Sequence, residues 1–231
     1  YDFVDGVAIE SAEVVEEDID QASEFLARLR TMAGVTGSDG LSSAADACFS
    51  IKAIVENIQF RLERLRQIYG DGVLVEQLQS FLEEKLTPTF EAIQTWSEVF
   101  ANQHGIAVDS DLAQNQRTLS PSDFGFHNAL KRPDSSIVFV DFEYFGWDDP
   151  AKMISDFLLH PAMRLGRSTK QQFLAKTFPI FSDDPLLVKR VRVVYPLFGL
   201  KWCLILLNEF VPADAQRRRF AGSMDHREEV R

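Results

Sequence analysis

The chain has 231 residues, of which 45% are hydrophobic and 26% charged, a balance typical of a globular protein with a real core. The formal net charge of −11 would repel phosphate backbones, so we expect no nucleic-acid partner. Cys48 and Cys203 lie far apart in apolar segments and are interpreted as buried, reduced thiols. No stretch has the pattern of a signal peptide, which favours a cytoplasmic protein.

The first half of the chain is predicted to be helical. Apolar residues recur at helical spacing between Asp18 and Met32, and Asp18 has the three-residue offset from Gln21 that is typical of a capping pair. After a loop rich in Gly and Ser, the same spacing predicts a second, longer helix with apolar residues from Ile51 to Leu65. Each helix has one apolar face to contribute to a core.

Two more helices are predicted before the polar loop that follows Gly105. One covers residues 73–85. The next begins with Thr87 as its N-cap and Pro88 in its first turn, where a missing backbone N–H costs little, and it ends near His104. Thr87 is thereby predicted to separate two helices.

The middle of the chain changes to short extended pieces. Residues 117–120 and 137–142 are predicted strands that bracket a loop. Asp149 then caps a helix that Pro150 opens, and further helices follow. The predicted fold class is mainly α (α+β), with helices around a small central β hairpin.

The most apolar stretch runs from Val193 to Phe210. Pro196, Lys201 and Asn208 interrupt it, and polar or charged side chains are costly at the centre of a bilayer. We therefore predict a buried core helix and no membrane partner. A lysine inside such a helix is expected to find an acid.

Acidic and amide side chains gather between residues 120 and 150. Asp123 is followed by Asn128, and Asp141 lies at the end of the next predicted strand. Such a loop can place a carboxylate base beside oxygen ligands of the kind that Mg²⁺ prefers. Phosphoryl transfer from ATP needs these parts, one carboxylate for the acceptor hydroxyl and oxygen ligands for the metal.

This stretch resembles the aminoglycoside phosphotransferase and choline kinase superfamily. Residues 122–128 read SDFGFHN and are similar to its catalytic loop, usually HGDxHxxN. Residues 141–150 read DFEYFGWDDP and resemble its metal-binding DFE segment and the GxxDP turn that follows. The resemblance covers about forty residues in the same order and spacing, which is more specific than an isolated Asp and Asn.

The resemblance implies a role for each of the acidic and amide residues. Asp123 would be the catalytic base, and Asn128 and Asp141 would bind Mg²⁺. Asp156 would be a structural acid that steadies the catalytic loop. For Glu143 two interpretations stay open, a contact to a second metal or the substrate and a carboxylate that is merely solvated.

The start of the chain carries a second match. Its first six residues, YDFVDG, resemble the hinge between the two lobes of these kinases, whose backbone would hold adenine at Asp2 and Val4; the alternative is an edge strand ending in Gly6. The implied organisation is a hinge remnant at 1–6 and a kinase-like C-terminal catalytic lobe at 7–231, without the N-terminal nucleotide lobe.

The resemblance implies an ATP- and Mg²⁺-dependent phosphotransferase that acts on a hydroxyl group of a small molecule. Sugars, amino alcohols such as choline, and aminoglycosides are all possible acceptors. The family's usual His is replaced by Pro121, and the glycine-rich loop and strand lysine that grip the phosphates have no match. These departures keep two alternatives open, a pseudokinase or binding module and an inactive fragment of a kinase.

The histidines are given no chemistry. His127 lies inside the catalytic loop beside two phenylalanines, a setting that favours a packed or solvated side chain over a catalytic one. His104, His160 and His226 are scattered and have no recognisable metal-ligand spacing.

Overall fold

The computed structural model describes residues 4–10, 14–35 and 40–211. This part of the chain is rich in helix and carries two small antiparallel sheets. The α-helices are α1 (Glu16–Ala33), α2 (Ile51–Arg66), α3 (Val73–Phe81), α4 (Thr87–Gln103), α5 (Pro150–Leu159), α6 (Arg167–Thr177) and α7 (Leu187–Leu206). The strands are β1 (Val7–Ala8), β2 (Thr118–Ser120), β3 (Ala129–Lys131), β4 (Ile137–Phe139) and β5 (Gly146–Asp148).

The start of α1 differs from the predicted capping pair. Asp18 lies in the first turn and not at the cap, and its carboxylate accepts the backbone N–H of Val15 at 3.0 Å. Gln21 does not take part, because its amide donates to the carbonyl of Ser135 and accepts the N–H of Ile137. The prediction of an Asp18–Gln21 pair is wrong; Gln21 instead ties α1 to the turn before β4.

Thr87 does not separate two helices. The π-helical turn Leu82–Leu86 joins α3 directly to α4, and the Thr87 hydroxyl donates to the carbonyl of Leu82 at 2.7 Å inside that turn. A π turn lets a helix continue past a residue that breaks the regular hydrogen-bond ladder, here Pro88, which has no N–H to donate. The predicted N-cap at Thr87 is therefore wrong, for this physical reason.

The core is built around α7. Its side chains pack against α2, α4 and α5, and Val193, Leu197, Phe198 and Leu204 have no exposed surface. Together with the 3₁₀ turn that follows, α7 forms a helical run, Leu187–Phe210, that is long and apolar enough to cross a membrane by length and composition. The prediction of a core helix is confirmed for the side of α7 that packs against these three helices. Cys203, which was predicted to be buried, is exposed on the same helix.

The strands pair differently from the simple hairpin expected around the loop. Thr118–Ser120 pairs with Gly146–Asp148, and the strand Ile137–Phe139 pairs with Ala129–Lys131. The outer partner Val7–Ala8 completes a three-stranded sheet in the order β1-β3-β4. A hairpin does exist, but it is β3–β4, and the two predicted strands do not pair with each other.

The turn from β5 into α5 confirms the predicted helix start. Asp149 caps α5 by accepting the N–H of Ala151 at 2.8 Å, and Pro150 is the first helical residue. The same carboxylate oxygen lies 3.0 Å from the Arg190 guanidinium, which also binds Asp184. A buried charge needs such partners, so the cap fixes the start of α5 and also anchors it to α7.

Candidate active site

The predicted catalytic loop, residues 122–128, follows β2 and begins with a strained residue. Ser122 has a φ of +71°, a left-handed conformation that costs most residues about 1–2 kcal/mol. Its N–H donates to Ser120 Oγ at 3.0 Å, and its hydroxyl donates to the carbonyl of Ala45 at 2.6 Å. These two bonds hold the conformation. The HGDxHxxN pattern has Gly at this position, and Gly adopts a left-handed φ without a steric penalty.

Asp123 follows immediately, and its side chain is about half exposed, at 46%. Its Oδ1 accepts a hydrogen bond from Nε2 of His127 at 3.0 Å. Partial burial raises the pKa of Asp123, but the hydrogen bond from His127 and the nearby imidazoles more than offset it, so the pKa lies below its usual value. At neutral pH the carboxyl is therefore an ionised acceptor.

A second histidine lies near the same carboxylate oxygen, at the end of α5. Nε2 of His160 lies 3.5 Å from Oδ1 of Asp123. The rings of His160 and His127 are stacked, with centroids 3.7 Å apart and planes 3° from parallel. Burial lowers the pKa of His160 to about 4, so this imidazole is neutral at pH 7.

Gly125 makes room for the His127 ring. A Cβ at this position would lie 2.6 Å from Nδ1 of His127 and 2.8 Å from the sulfur of Met163. The HGDxHxxN pattern has its second histidine at this position, whereas this chain has Gly there and places an imidazole from two residues later in the same space. A histidine is thus present beside the loop, but it comes from a different position.

The expected metal ligands lie on the two sides of the β3–β4 hairpin. Asn128 ends the catalytic loop, and its side-chain NH₂ donates to the carbonyl of Asp123 at 3.0 Å, which leaves its amide oxygen available. The N–H of Val140 donates to the carbonyl of Asn128 at 2.9 Å. This bond brings the exposed Asp141, with its φ of +62°, beside Asn128. An amide oxygen and a carboxylate suit Mg²⁺.

A buried ion network lies beneath the loop along α5. The ammonium of Lys152 lies 2.8 Å from Asp148 and 3.3 Å from Asp156. Burial lowers the pKa of Lys152, but these two carboxylates more than offset it, so its pKa is raised and it stays charged. Asp156 also accepts the indole N–H of Trp202 at 2.9 Å, and the Trp202 ring meets His160 edge-on at 4.4 Å.

Asp156 contacts the catalytic loop only indirectly. Its partners are Lys152 and Trp202, and its backbone carbonyl accepts the N–H of His160 at 2.8 Å. Its carboxylate reaches the surroundings of Asp123 through the Trp202 ring, which packs against His160. The predicted steadying role therefore stays a prediction, with α5 and α7 as the elements that would transmit it.

Asp123, His127 and His160 offer ligand atoms within 4.8 Å of one another, but their arrangement does not fit a metal centre. A metal bound by both rings must lie in both ring planes, and parallel stacked rings do not share a plane. Nδ1 of His160 accepts the N–H of Ala162 at 3.2 Å, whereas a metal-bound histidine normally donates from its other nitrogen. Of the three residues, His127 hydrogen-bonds to Asp123 and His160 stacks on His127.

The described part of the predicted hinge, residues 4–6, precedes β1 and lies beside this hairpin. Val4 is described and Asp2 lies outside the described residues. After Gly6, β1 pairs with β3 (Val7 with Lys131), and a Cβ on Gly6 would lie 3.0 Å from the Cβ of Leu130. The strand therefore begins after Gly6 instead of ending there, and it passes next to the strand that follows the catalytic loop.

The structure brings Asp123, Asn128 and the strand end carrying Asp141 to one edge of the small sheet, as the motif spacing indicates. His160 was missed, because no local pattern links it to a loop more than thirty residues earlier. One signal was available: Gly125 stands where the pattern has His. Lys201 behaves as predicted, since its ammonium lies 3.5 Å from the carboxylate of Asp46.

Comparisons with known proteins support the fold. Neither the sequence profiles of protein families nor the sequences of curated proteins match the chain. Among solved structures, it is similar to Plasmodium vivax ethanolamine kinase (TM-score 0.54, 14% identity), covering 90% of this chain and 57% of that one. It is also similar to an aminoglycoside phosphotransferase from Alicyclobacillus acidocaldarius (TM-score 0.51, 13% identity), covering 99% of this chain and 71% of that one.

These likenesses define the class of fold. The chain has the fold of the small-molecule kinases that include ethanolamine kinase and aminoglycoside phosphotransferase, which confirms at the level of fold the resemblance seen in residues 122–150. The chain spans 57% of the ethanolamine kinase structure. Function has to be argued from the site, because a shared fold hosts many activities.

Proposed function

We propose that the chain is the kinase-like C-terminal lobe of a phosphotransferase that moves the γ-phosphoryl group of ATP to a hydroxyl group of a small molecule. The proposal rests on one observation at the β3–β4 hairpin. The backbone N–H of Val140 donates to the carbonyl of Asn128, and this bond sets Asp141 beside Asn128. Together with Asp123, this provides a base and oxygen ligands in the order that phosphoryl transfer requires.

Each residue has a distinct task in this proposal. Asp123 would orient the acceptor hydroxyl and take up its proton. Asn128 and Asp141 would hold Mg²⁺, which would neutralise charge on the phosphates when bound. The hinge segment at Asp2 and Val4 would contact adenine through its backbone.

The proposed acceptor is a small molecule with a hydroxyl group. Sugars, amino alcohols and aminoglycosides all present the hydroxyl that Asp123 would engage. The two structural neighbours are an ethanolamine kinase and an aminoglycoside phosphotransferase, and these names supply the first compounds to test. The negative net charge of −11 favours cationic acceptors, because it would attract them over long distances.

A second candidate function is binding without turnover. Pro121 replaces the usual loop histidine, and Oδ1 of Asp123 is already engaged by His127. A pseudokinase would keep the metal–nucleotide site but would not need a free base. The two candidates differ in one measurable property, since only the phosphotransferase consumes ATP in the presence of an acceptor.

Replacing the proposed base tests the function. Asp123→Asn should lower turnover by about 100- to 10,000-fold, the usual contribution of a general base, while binding of Mg²⁺ and ATP is retained. Transfer of ³²P from γ-labelled ATP to ethanolamine, choline, a hexose and an aminoglycoside measures it. Turnover by Asp123→Asn equal to that of the parent chain would rule out Asp123 as the base; binding without any transfer by the parent would favour the pseudokinase.

A further inference from the structure

A cavity of about 210 Å³ is lined by residues of α2, α7 and the loop that follows α4. Its inner wall is apolar and is built from buried side chains: Ile51, Ile54, Ile106, Leu112 and Val194. The described residues that line it include none from the predicted catalytic loop and none from the segment that carries Asp141. The cavity is therefore separate from the candidate active site.

The loop that forms one wall of the cavity is held by its backbone. The N–H of Lys52 donates to the carbonyl of Val108 at 3.0 Å, and the N–H of Leu112 donates to the carbonyl of Phe49 at 2.7 Å. These bonds tie both ends of residues 108–112 to the start of α2. The wall is thus preformed, as is usual for small-molecule sites, and little ordering is needed when a ligand binds.

The volume and the lining of the cavity select a small ligand with an apolar body. An apolar cavity of roughly 150 Å³ stays dry and binds benzene. At about 210 Å³, this cavity has room for a six-membered ring that carries a short substituent. Water gains little at the inner wall, because the side chains of Ile54, Ile106 and Val194 offer it no hydrogen bond.

The charged residues around the cavity have an excess of carboxylates. Asp149 and Arg190 line it, and the Arg190 guanidinium is shared by Asp149 at 3.0 Å and Asp184 at 2.5 Å. Two carboxylates on one guanidinium leave this buried group with a formal charge of −1. At the edge of the cavity, the exposed Asp111 lies 3.9 Å from Arg117, which is too far for a hydrogen bond. These charges complement a cation.

We propose that this cavity is a second ligand site, which binds a small organic cation with an apolar ring. The ring would lie against the buried isoleucines of the inner wall, and an ammonium group on a short substituent would reach the carboxylate of Asp111 at the edge. The site does not depend on the proposed function, because it shares no residue with the base or with the predicted metal ligands. Its ligand can therefore be tested without any measurement of activity.

Three probes of similar shape test the charge preference: benzylammonium, benzyl alcohol and benzoate. Each is titrated into the ¹⁵N-labelled chain and followed by backbone ¹H–¹⁵N correlation spectra. Benzylammonium should bind about 10-fold more tightly than benzoate, and the largest shifts should fall on residues 105–112 and around Val194. Shifts centred elsewhere, no binding of benzylammonium, or equal affinity for benzylammonium and benzoate would overturn the proposal.

Removing the carboxylate at the edge tests where the ammonium group binds. Asp111→Asn should lower the affinity for benzylammonium roughly 2- to 5-fold, as expected for an exposed ion pair, and should leave the affinity for benzyl alcohol unchanged. Asp109→Asn is the matched control, since Asp109 is an exposed carboxylate of the same loop that does not line the cavity. Equal losses in the two variants would show a general effect of net charge and would contradict the role of Asp111.

Filling the cavity tests the apolar part of the site. Ile54 is 2% exposed and lines the cavity, so Ile54→Phe places a ring where the ring of the probe would lie. It should weaken the binding of benzylammonium and benzyl alcohol by about 10-fold or more, whereas Ile54→Val, which removes one methyl group, should not weaken it. Thermal unfolding shows whether each variant folds. Undiminished binding by folded Ile54→Phe would overturn the proposal, and if that variant fails to fold, the shifts in the parent chain decide the location.

Discussion

At the scale of single residues, the strain at Ser122 can be measured by comparing two small substitutions. Ser122→Ala and Ser122→Gly both lose the hydroxyl bond to Ala45, but only Gly adopts the φ of +71° without a steric penalty. Ser122→Ala should therefore be less stable than Ser122→Gly, by about 1 kcal/mol. Urea unfolding of both variants checks this, and equal stabilities would show that the loop is not strained there.

His160 gives a second prediction at this scale, a pH dependence of stability. Its pKa is lowered by burial to about 4 in the folded chain, while the unfolded chain has the ordinary value of about 6.5. Between these values the unfolded state binds more protons, so stability should fall as the pH drops from 6.5 towards 4.

The comparison that isolates this effect is urea unfolding at pH 7 and pH 5 for the parent chain and for His160→Gln. The parent should lose more stability on acidification than the variant, because Gln does not titrate. If both lose the same amount, His160 is not the group that titrates over this range.

At the scale of secondary structure elements, Gly146 is the tightest point of the GxxDP turn. A Cβ there would lie 2.4 Å from the carbonyl oxygen of Ser42 and 2.6 Å from the nitrogen of Ala44, because the backbone of Trp147 bonds to both residues. Both atoms belong to backbone, so neither can move aside easily. The motif glycine is required by this close approach and not by its φ angle.

Gly146→Ala is therefore expected to destabilise the chain by about 1–3 kcal/mol, the usual cost of forcing extra volume into a packed site. Gly72→Ala is the matched control, since a Cβ at Gly72 meets nothing within 4 Å. Thermal unfolding of the two variants measures the difference. Equal melting temperatures would contradict the close approach of β5 to the segment before α2.

The elements also show where sequence reasoning succeeds. The apolar spacing of α1 and α2 predicts buried faces that the structure confirms, because burial repeats with the helical period. Asp149 and Pro150 predict the start of α5 from local chemistry alone. Thr87 and Pro88 carry the same local signal, but the helix start predicted there is wrong. A π turn, which depends on tertiary packing, continues the helix past both residues.

At the scale of the whole molecule, the order of the motif residues predicts the part of the candidate site whose residues are close in sequence. Asp123, Asn128 and Asp141 are close in sequence and joined by a short hairpin, so spacing alone places them together. His160 and Trp202 reach the site from α5 and α7, and only the packing of those helices brings them there. The strand pairing was missed for a similar reason, since three-residue strands carry too little pattern to select their partners.

The central claim is that Asp141 and Asn128 form a metal–nucleotide site, and calorimetric titration of the chain with ATP in the presence and absence of Mg²⁺ tests it most directly. The chain should bind ATP in a Mg²⁺-dependent way. Asp141→Ala should abolish this binding, whereas Asp71→Ala, which removes an exposed carboxylate far along the sequence, should leave it unchanged. Binding that survives Asp141→Ala, or no binding to the parent chain, would contradict the account.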